Sequence, residues 1–480
     1  MKTNFSKENK ENTKEKKIIR KDFIHLHYIK HKTKNMISIQ KILEKTTDTK
    51  AIEISQGAYN RVSEMFNQLF PNKTAAIIAD INTFDVAGKT VQHSLELADI
   101  RQVKPLILTD PDLYAEWSYL EQVEEYLKDQ EAIGIAVGSG VINDLTKLAS
   151  EHLGQRYMVC GTAASMDGYT AYGASITYQG NKQTFSCKAP YGIILDPVTA
   201  AKAPKELTAS GYADLIAKVP AGADWMIADA IGKEEIDPFA WDILNQELKQ
   251  SLSHPRALYN GDTEEIKGLA NLLILSGFAM QAMHSSRPAS GTEHQYSHCW
   301  DIENLCINGK HVSHGFKVGI GTLISTASLE FLLNYDMSKI DIQACVEAWP
   351  TWEDTKKHIE ELTSYNPGLL SRCLTESQDK YASKAELKSQ LETFLAKWPD
   401  LKTKIRKHIY SYSYVKECLR QVGAPYEPEM IQVSRAHLEH TFNIIPYMRS
   451  RFTNIDIIQR LGLLNQLHEY LFGKGGYYEF

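Results

Sequence analysis

Between residues 74 and 195, short apolar runs alternate with segments long enough to hold a crossover helix, and this alternation constrains the fold most. The runs are Thr74–Ala79 (TAAIIA), Pro105–Thr109 (PLILT), Ala132–Val137 (AIGIAV), Arg156–Cys160 (RYMVC) and Gly192–Leu195 (GIIL). Parallel strands need a long connection between them, and helix-length segments separate the first four runs, so a parallel α/β sheet is expected. Ile176–Tyr178 and Gln183–Ser186 flank Gln179-Gly180-Asn181 and read as a hairpin inserted before the last strand. Beyond Pro204 the strand signal fades. Helical stretches take over, for example Lys267–Met283, Val318–Leu333 and Ala385–Leu395, and predict an all-α second half. Asp196-Pro197 and Ala203-Pro204 interrupt the pattern, which puts a domain boundary near 200–206.

A chain of 480 residues has ample core for two or more domains. Residues 1–35 are Lys-, Asn- and Glu-rich and predict a disordered basic tail, with Met36 an alternative start. That tail holds eleven Lys/Arg against four Asp/Glu, so +7, and the net charge of −6 leaves −13 on the remainder. An acidic body argues against nucleic acid as the main partner. No apolar run reads as long enough to cross a bilayer and no signal-peptide pattern follows the basic start, so no membrane association is expected. Seven cysteines form no CxxC, which favours reduced thiols in a cytoplasm over a disulfide framework.

The richest stretch for chemistry is Ser285–Trp300, SSRPASGTEHQYSHCW. His294 and His298 lie four residues apart and share one face of a helix. A carboxylate at Asp214, in GYADLIAK, and an imidazole at His314, in HVSHG, are candidates to complete a metal site. Such ligands suit Zn²⁺, Ni²⁺ or Fe²⁺, and three of them leave a position open for substrate. A histidine pair at this spacing is by itself more often a surface or core pair than a metal site.

A second set of residues points to a nucleotide. Val137-Gly138-Ser139-Gly140 follows a strand and opens a helix, where glycines admit a pyrophosphate and the helix offers free N–H groups. It is not GxGxxG, and many tight turns hold two glycines. Its place after the third parallel strand, at the carboxyl end of the sheet, is the stronger argument. Asp80 ends another strand and is a candidate for ribose or adenine, or else a helix cap. Gly161-Thr162-Ala-Ala-Ser165-Met-Asp167-Gly-Tyr-Thr170 follows a third, with hydroxyls and amides for a pyrophosphate or nicotinamide, or for turn capping.

Taken together, GSGVINDLTK, GTAASMDGYT, ASGYADLIAK, SRPASGTEHQYSH and HGFKVGIGT resemble one family. They are similar, in order over roughly residues 50–470, to the sn-glycerol-1-phosphate dehydrogenases of the bacterial arabinose-operon-associated type. That family lies within the iron-containing alcohol dehydrogenase and dehydroquinate synthase-like superfamily. The resemblance implies a Rossmann-like nucleotide-binding α/β domain at 36–205, a helical metal- and substrate-binding domain at 206–480, and an active site in the cleft between them. It implies Asp214, His294 and His314 as ligands of one divalent metal, Zn²⁺ or Ni²⁺ before Fe²⁺. Gly138, Ser139, Gly140 and Asp144 would cradle NAD or NADP, with Thr162 and Ser165 beside the pyrophosphate. His298 would lie near the nicotinamide. At Lys218 the iron-dependent alcohol dehydrogenases place another histidine ligand, so three protein ligands are expected here. Dehydroquinate synthase-like cyclases carry Glu in a GxAE-type motif where this chain has GYAD, which favours the dehydrogenase branch.

The activity implied is reversible hydride transfer between NAD(P)H and dihydroxyacetone phosphate, giving sn-glycerol 1-phosphate, by a cytoplasmic homodimer. The proton is expected through water, a substrate hydroxyl, His298 or Asp167. Lys218, Arg287 and Lys317 are the candidate phosphate donors; Lys218 has the alternative of pairing with Asp214, and Arg287 of a structural ion pair. The rival functions are a glycerol or other polyol dehydrogenase of the same superfamily and a non-catalytic nucleotide-binding sensor.

Overall fold

The structure, a computed structural model, describes residues 39–179 and 181–479. The tail expected at 1–35, Met36 and Gly180 lie outside the described residues. The first half is built on β1 (Ala51–Ile54), β2 (Ala75–Asp80), β3 (Leu106–Leu108), β4 (Ile133–Gly138), α1 (Gly140–His152), β5 (Met158–Gly161), β6 (Ala174–Tyr178), β7 (Asn181–Phe185) and β8 (Gly192–Leu195). Six strands form one sheet in the order β1-β8-β5-β4-β2-β3, every neighbouring pair parallel. All five expected strands are present.

Side chains alternate across this sheet. Ala75, Ile77, Ala79, Ile135 and Val137 pack into one apolar layer, whereas Ala76, Ile78, Ala136 and Val159 enter the larger core on the other face. Burial on both faces is what makes the central strands continuous apolar runs. β1 has no such run: Ile52 and Ile54 are buried while Ala51 and Glu53 are half-exposed, the pattern of an edge strand. β6 and β7 form the separate antiparallel hairpin.

The strand order reverses between β2 and β4, because the chain leaves β2 for β3 on one side and returns to build outward from β4 on the other. Ligands bind parallel sheets outside the carboxyl ends of strands at such a point. Asp80 and Gly138 end the two strands that flank it.

From residue 197 onward the chain is helical. The helices that carry the site are α2 (Lys205–Ile216), α3 (Lys218–Ala230), α4 (Thr263–Met283), α5 (Thr292–Ile302) and α6 (His314–Asn334), and α7 (Lys384–His408) packs against α3. One exception to the all-α expectation is the two-residue pair β9 (Cys306–Ile307) and β10 (Lys310–His311), an antiparallel hairpin that joins α5 to α6. Proline at 220, whose nitrogen has no hydrogen, accounts for the break between α2 and α3 at Ala217.

The expectation that no segment is long and apolar enough to span a bilayer is corrected for α4 and α6. Each has 21 residues, with mean hydropathy of 1.3 and 1.4 over the most apolar window. Those windows are 67% and 83% buried inside the protein, so these helices are apolar because other helices surround them. All seven cysteines are unpaired.

Candidate active site

Two glycines let three helices meet. A Cβ on Gly315 would sit 1.9 Å from the Ser210 carbonyl oxygen, so the start of α6 rests directly on the backbone of α2. A Cβ on Gly321 would come within 2.3 Å of the Glu293 carbonyl oxygen, which brings α5 onto the same helix. Asp214 lies one turn beyond Ser210, His314 immediately precedes Gly315, and His294 immediately follows Glu293. The close packing therefore delivers a carboxylate and two imidazoles to one place. Their donor atoms all lie within 4.8 Å of one another.

The ends of the helices fix the two histidines. Ser313 caps α6 by accepting from Phe316 N, which makes His314 its first residue. The residue before α5 is Gly291, which has no side chain to cap with. Asp224 of α3 supplies the missing acceptor, taking the Thr292 N–H at 2.7 Å, and Glu293 Oε1 takes the Gly291 N–H at 2.6 Å. Asn454 holds Asp224 in turn, donating its N–H at 2.8 Å and its amide at 2.7 Å.

The fit to a metal ion rests on three observations. Two ligands bound about 2.1 Å from one ion at a tetrahedral angle stand about 3.4 Å apart, and His294 Nε2 lies 3.7 Å from Asp214 Oδ1. Glu293 Oε1 lies 2.8 Å from His294 Nδ1, the carboxylate–histidine arrangement that fixes the tautomer and turns Nε2 toward the ion. Ser297 Oγ stands 3.4 Å from His314 Nδ1 in a weaker version of the same contact. Both imidazoles are held neutral, as ligands must be. Burial pulls His294 well below the ordinary value, with Lys218 adding to it, and burial pulls His314 down to about 4. Burial also drives the Glu293 carboxyl upward.

Lys218 answers the question left open by the sequence. It is fully buried, and its Nζ lies 2.5 Å from Asp214 Oδ1 and 2.9 Å from Asp167 Oδ2. Burial disfavours its charge, but the two carboxylates outweigh burial and raise its pKa. Asp167 also accepts from Ser276 Oγ at 2.9 Å, and its N–H donates to Asp214 Oδ2 at 3.0 Å. Lys218 thus ties Asp167 to Asp214, the pairing that stood as the alternative to meeting the substrate. Lys317 and Arg287, the other phosphate candidates, are buried and engaged: Lys317 pairs with Asp301, and Arg287 pairs with Glu234 at 3.1 Å and donates to Phe452 O at 3.0 Å.

His298 lies one turn along α5 from His294, with ring centroids 6.2 Å apart. Its side chain is 34% exposed, with Asp301 4.0 Å away, and burial followed by the Arg449 charge holds its pKa well below the ordinary range.

At the nucleotide end, Gly138 closes β4, Ser139 precedes α1 in extended conformation without a side-chain cap bond, and Gly140 begins the helix. Thr162 N donates to Gly138 O at 3.0 Å, so the loop after β5 lies beside this turn. Thr162 and Ser165 are buried there. Asp144 lies one turn along α1 from Gly140. Its carboxylate accepts the Ser175 N–H at 3.1 Å and the Asn143 amide at 3.2 Å, with Lys147 3.9 Å away, so it anchors the β6–β7 hairpin to α1. Asp80 takes its alternative reading as a cap, accepting from Asn82 N at 2.8 Å and Thr83 N at 2.9 Å through Oδ1.

Several residues of the site gave no signal in the sequence. Glu293 and His294 are adjacent, and adjacent helical residues do not normally face each other. Asp224 and Asn454 meet across 230 residues of chain.

Residues 53–204 match the family described as iron-containing alcohol dehydrogenase. A glycerol-1-phosphate dehydrogenase [NAD(P)+] of Geobacillus thermodenitrificans is 33% identical over 276 residues, 57% of this chain and 68% of that relative. One of the same description from Pyrococcus furiosus is 33% identical over 270 residues, 55% of this chain and 75% of that relative. The matched stretch covers about two thirds of the length of the first such relatives. The fold is that of solved iron-containing alcohol dehydrogenases: the Thermococcus thioreducens structure has a TM-score of 0.54 at 14% identity, covering 88% of this chain and 98% of that one. With a third of positions shared over two thirds or more of these relatives, the chain is an oxidoreductase that belongs to the glycerol-1-phosphate dehydrogenase family, within the iron-containing alcohol dehydrogenase-like superfamily.

Proposed function

We propose that the protein is a metal-dependent, NAD(P)-linked dehydrogenase that interconverts dihydroxyacetone phosphate and sn-glycerol 1-phosphate. The observation that carries this reading is the convergence of Asp214, His294 and His314 within 4.8 Å, backed by a carboxylate on His294 Nδ1. A divalent ion held by these residues would supply Lewis-acid polarisation of the ketone. The nicotinamide carries the hydride, and the protein's part is to aim it.

The chain's residues divide the remaining work. Gly138, Ser139 and Gly140 offer backbone at the crevice for the pyrophosphate, with Thr162 and Ser165 alongside. Lys218 bridges Asp214 and Asp167 and fixes both carboxylates in place. Asp167 is engaged by Lys218 and Ser276 through Oδ2. We assign the relay of a proton between the substrate oxygen and solvent to His298, which is partly exposed and one turn along α5 from His294.

The test is turnover of dihydroxyacetone phosphate with NADH and NADPH, in the presence of Zn²⁺, Ni²⁺ or Fe²⁺ and after chelation, followed by chiral analysis of the product. Formation of sn-glycerol 1-phosphate, lost on chelation, is the expected result. Equal or better turnover of unphosphorylated dihydroxyacetone or glycerol would replace this reading with a polyol dehydrogenase.

A further inference from the structure

The phosphate of the proposed substrate needs cationic donors, and the sequence candidates are all engaged elsewhere. Lys218 is held by two carboxylates, Lys317 by Asp301 and Arg287 by Glu234. Two cations that pair with no carboxylate at close range among the described residues lie on the segment 448–453, far along the chain, although Glu376 and Glu234 act on the first of them and Glu234 and Glu293 on the second. Arg449 and Arg451 alternate there with Ser450 and lie across the 285–290 loop. Arg449 donates to Ser290 Oγ at 3.3 Å and Ser286 Oγ at 3.4 Å, and Arg451 donates to the Ser290 carbonyl at 2.8 Å and Ser286 Oγ at 3.0 Å. Ser450 between them is held by Glu376, which accepts from its N–H at 2.6 Å and its hydroxyl at 2.8 Å.

Neither Arg449 nor Arg451 has a carboxylate within ion-pair distance among the described residues. Their hydrogen bonds go only to neutral oxygens. Nε of the buried Arg451 and Nη2 of the buried Arg287 have no hydrogen-bond partner. Buried guanidinium donors left unpaired are costly, and an anion would offset that cost. The forked geometry of guanidinium suits phosphate oxygens. The loop they grip runs directly into α5, which carries His294 and His298. The Arg449 charge acts on His298, and Arg449 itself feels the carboxylates of Glu376 and Glu234 as well as Tyr172 of the loop after β5. Arg449 is half-buried, whereas Arg451 is buried beneath it.

We propose that Arg449, held against the 285–290 loop that leads into α5, binds the phosphate group of the substrate and so sets the preference for a phosphorylated ketone. The proposal rests on the dehydrogenase reading above and adds the residue that selects the anion.

The experiment compares wild type with Arg449→Gln and Arg449→Lys in the metal-loaded enzyme. KM for dihydroxyacetone phosphate, competitive inhibition by inorganic phosphate, NADH affinity, metal content and melting temperature are measured. For Arg449→Gln, KM and the phosphate inhibition constant should both rise roughly ten- to a hundredfold, with a much smaller change in kcat. NADH affinity and metal content should hold, and lysine should restore part of the phosphate affinity. A KM and a phosphate inhibition constant within twofold of wild type in Arg449→Gln would overturn the proposal. If Arg449→Gln does not fold, Arg449→Lys decides by the same two constants. If wild type binds phosphate through Arg449 but does not reduce dihydroxyacetone phosphate, the anion site stands and the functional reading falls.

Discussion

Glu293 Oε1 lies 2.8 Å from Nδ1 of His294, with both side chains buried, so a carboxylate decides which imidazole nitrogen faces Asp214 and His314. Replacing Glu293 by Gln keeps the shape and weakens the acceptor. Metal affinity should fall roughly tenfold or more, as it does when partners behind a ligand histidine are lost. Titration of the metal-free protein with Zn²⁺ measures this, and an unchanged dissociation constant would remove Glu293 from the site.

His294→Ala and His314→Ala should each abolish turnover while the fold persists, because preformed helices bring the donors together. Metal analysis and circular dichroism read the two effects separately. A variant that keeps both its metal and a near-normal rate would show that the ligand set is wrong.

Lys218→Met tests the buried ion pairs. Removing the ammonium leaves Asp167 and Asp214 facing each other without a cation, and breaking a buried pair in this way costs about 3–5 kcal/mol. Thermal or denaturant unfolding should register that loss, with metal content altered as well. Unchanged stability alongside a tenfold higher KM for dihydroxyacetone phosphate would return Lys218 to the role of phosphate donor.

Gly315→Ala places a methyl group 1.9 Å from the Ser210 carbonyl oxygen, against backbone that cannot rotate away. The helices must part, at a cost of about 1–3 kcal/mol. His314 should move off Asp214, so the variant should bind metal more weakly as well as melt earlier. Normal metal binding at a lowered melting temperature would mean that the contact supports the fold but not the site.

His408 supplies a pH dependence remote from the metal ligands. Burial, aided by the nearby Lys249, lowers its pKa from 6.5 to about 4 in the fold, where it lies 3.0 Å from the Val219 carbonyl oxygen. The unfolded chain takes up this proton first as pH falls. The stability contributed by neutral His408 is therefore complete above about pH 6.5 and is lost as pH drops toward 4. Between pH 6 and 5 the loss should be about 1 kcal/mol. The difference in unfolding free energy between wild type and His408→Gln should shift by that amount over the interval; a constant difference would refute the assignment.

The sequence by itself determined the central sheet and brought the ligand motifs to notice. Strands buried on both faces must be apolar throughout and parallel strands must be spaced by helices, so β2, β3, β4, β5 and β8 were legible from local composition. β1 was not, because an edge strand with Glu53 facing outward carries no continuous apolar run. Asp214, His294 and His314 were legible as residue types in recurring motifs, and the structure brings their donor atoms together. What only the tertiary structure decided is which charge meets which. Asp144 turns inward to Ser175, Lys218 joins Asp167 to Asp214, and Asp80 closes its own helical turn. Arg449 and Arg451 reach the loop ahead of His294 from more than 150 residues away. A side chain's chemistry is fixed by its residue type, but whether it is available depends on its neighbours in space, and these are set by packing between segments that no local pattern relates.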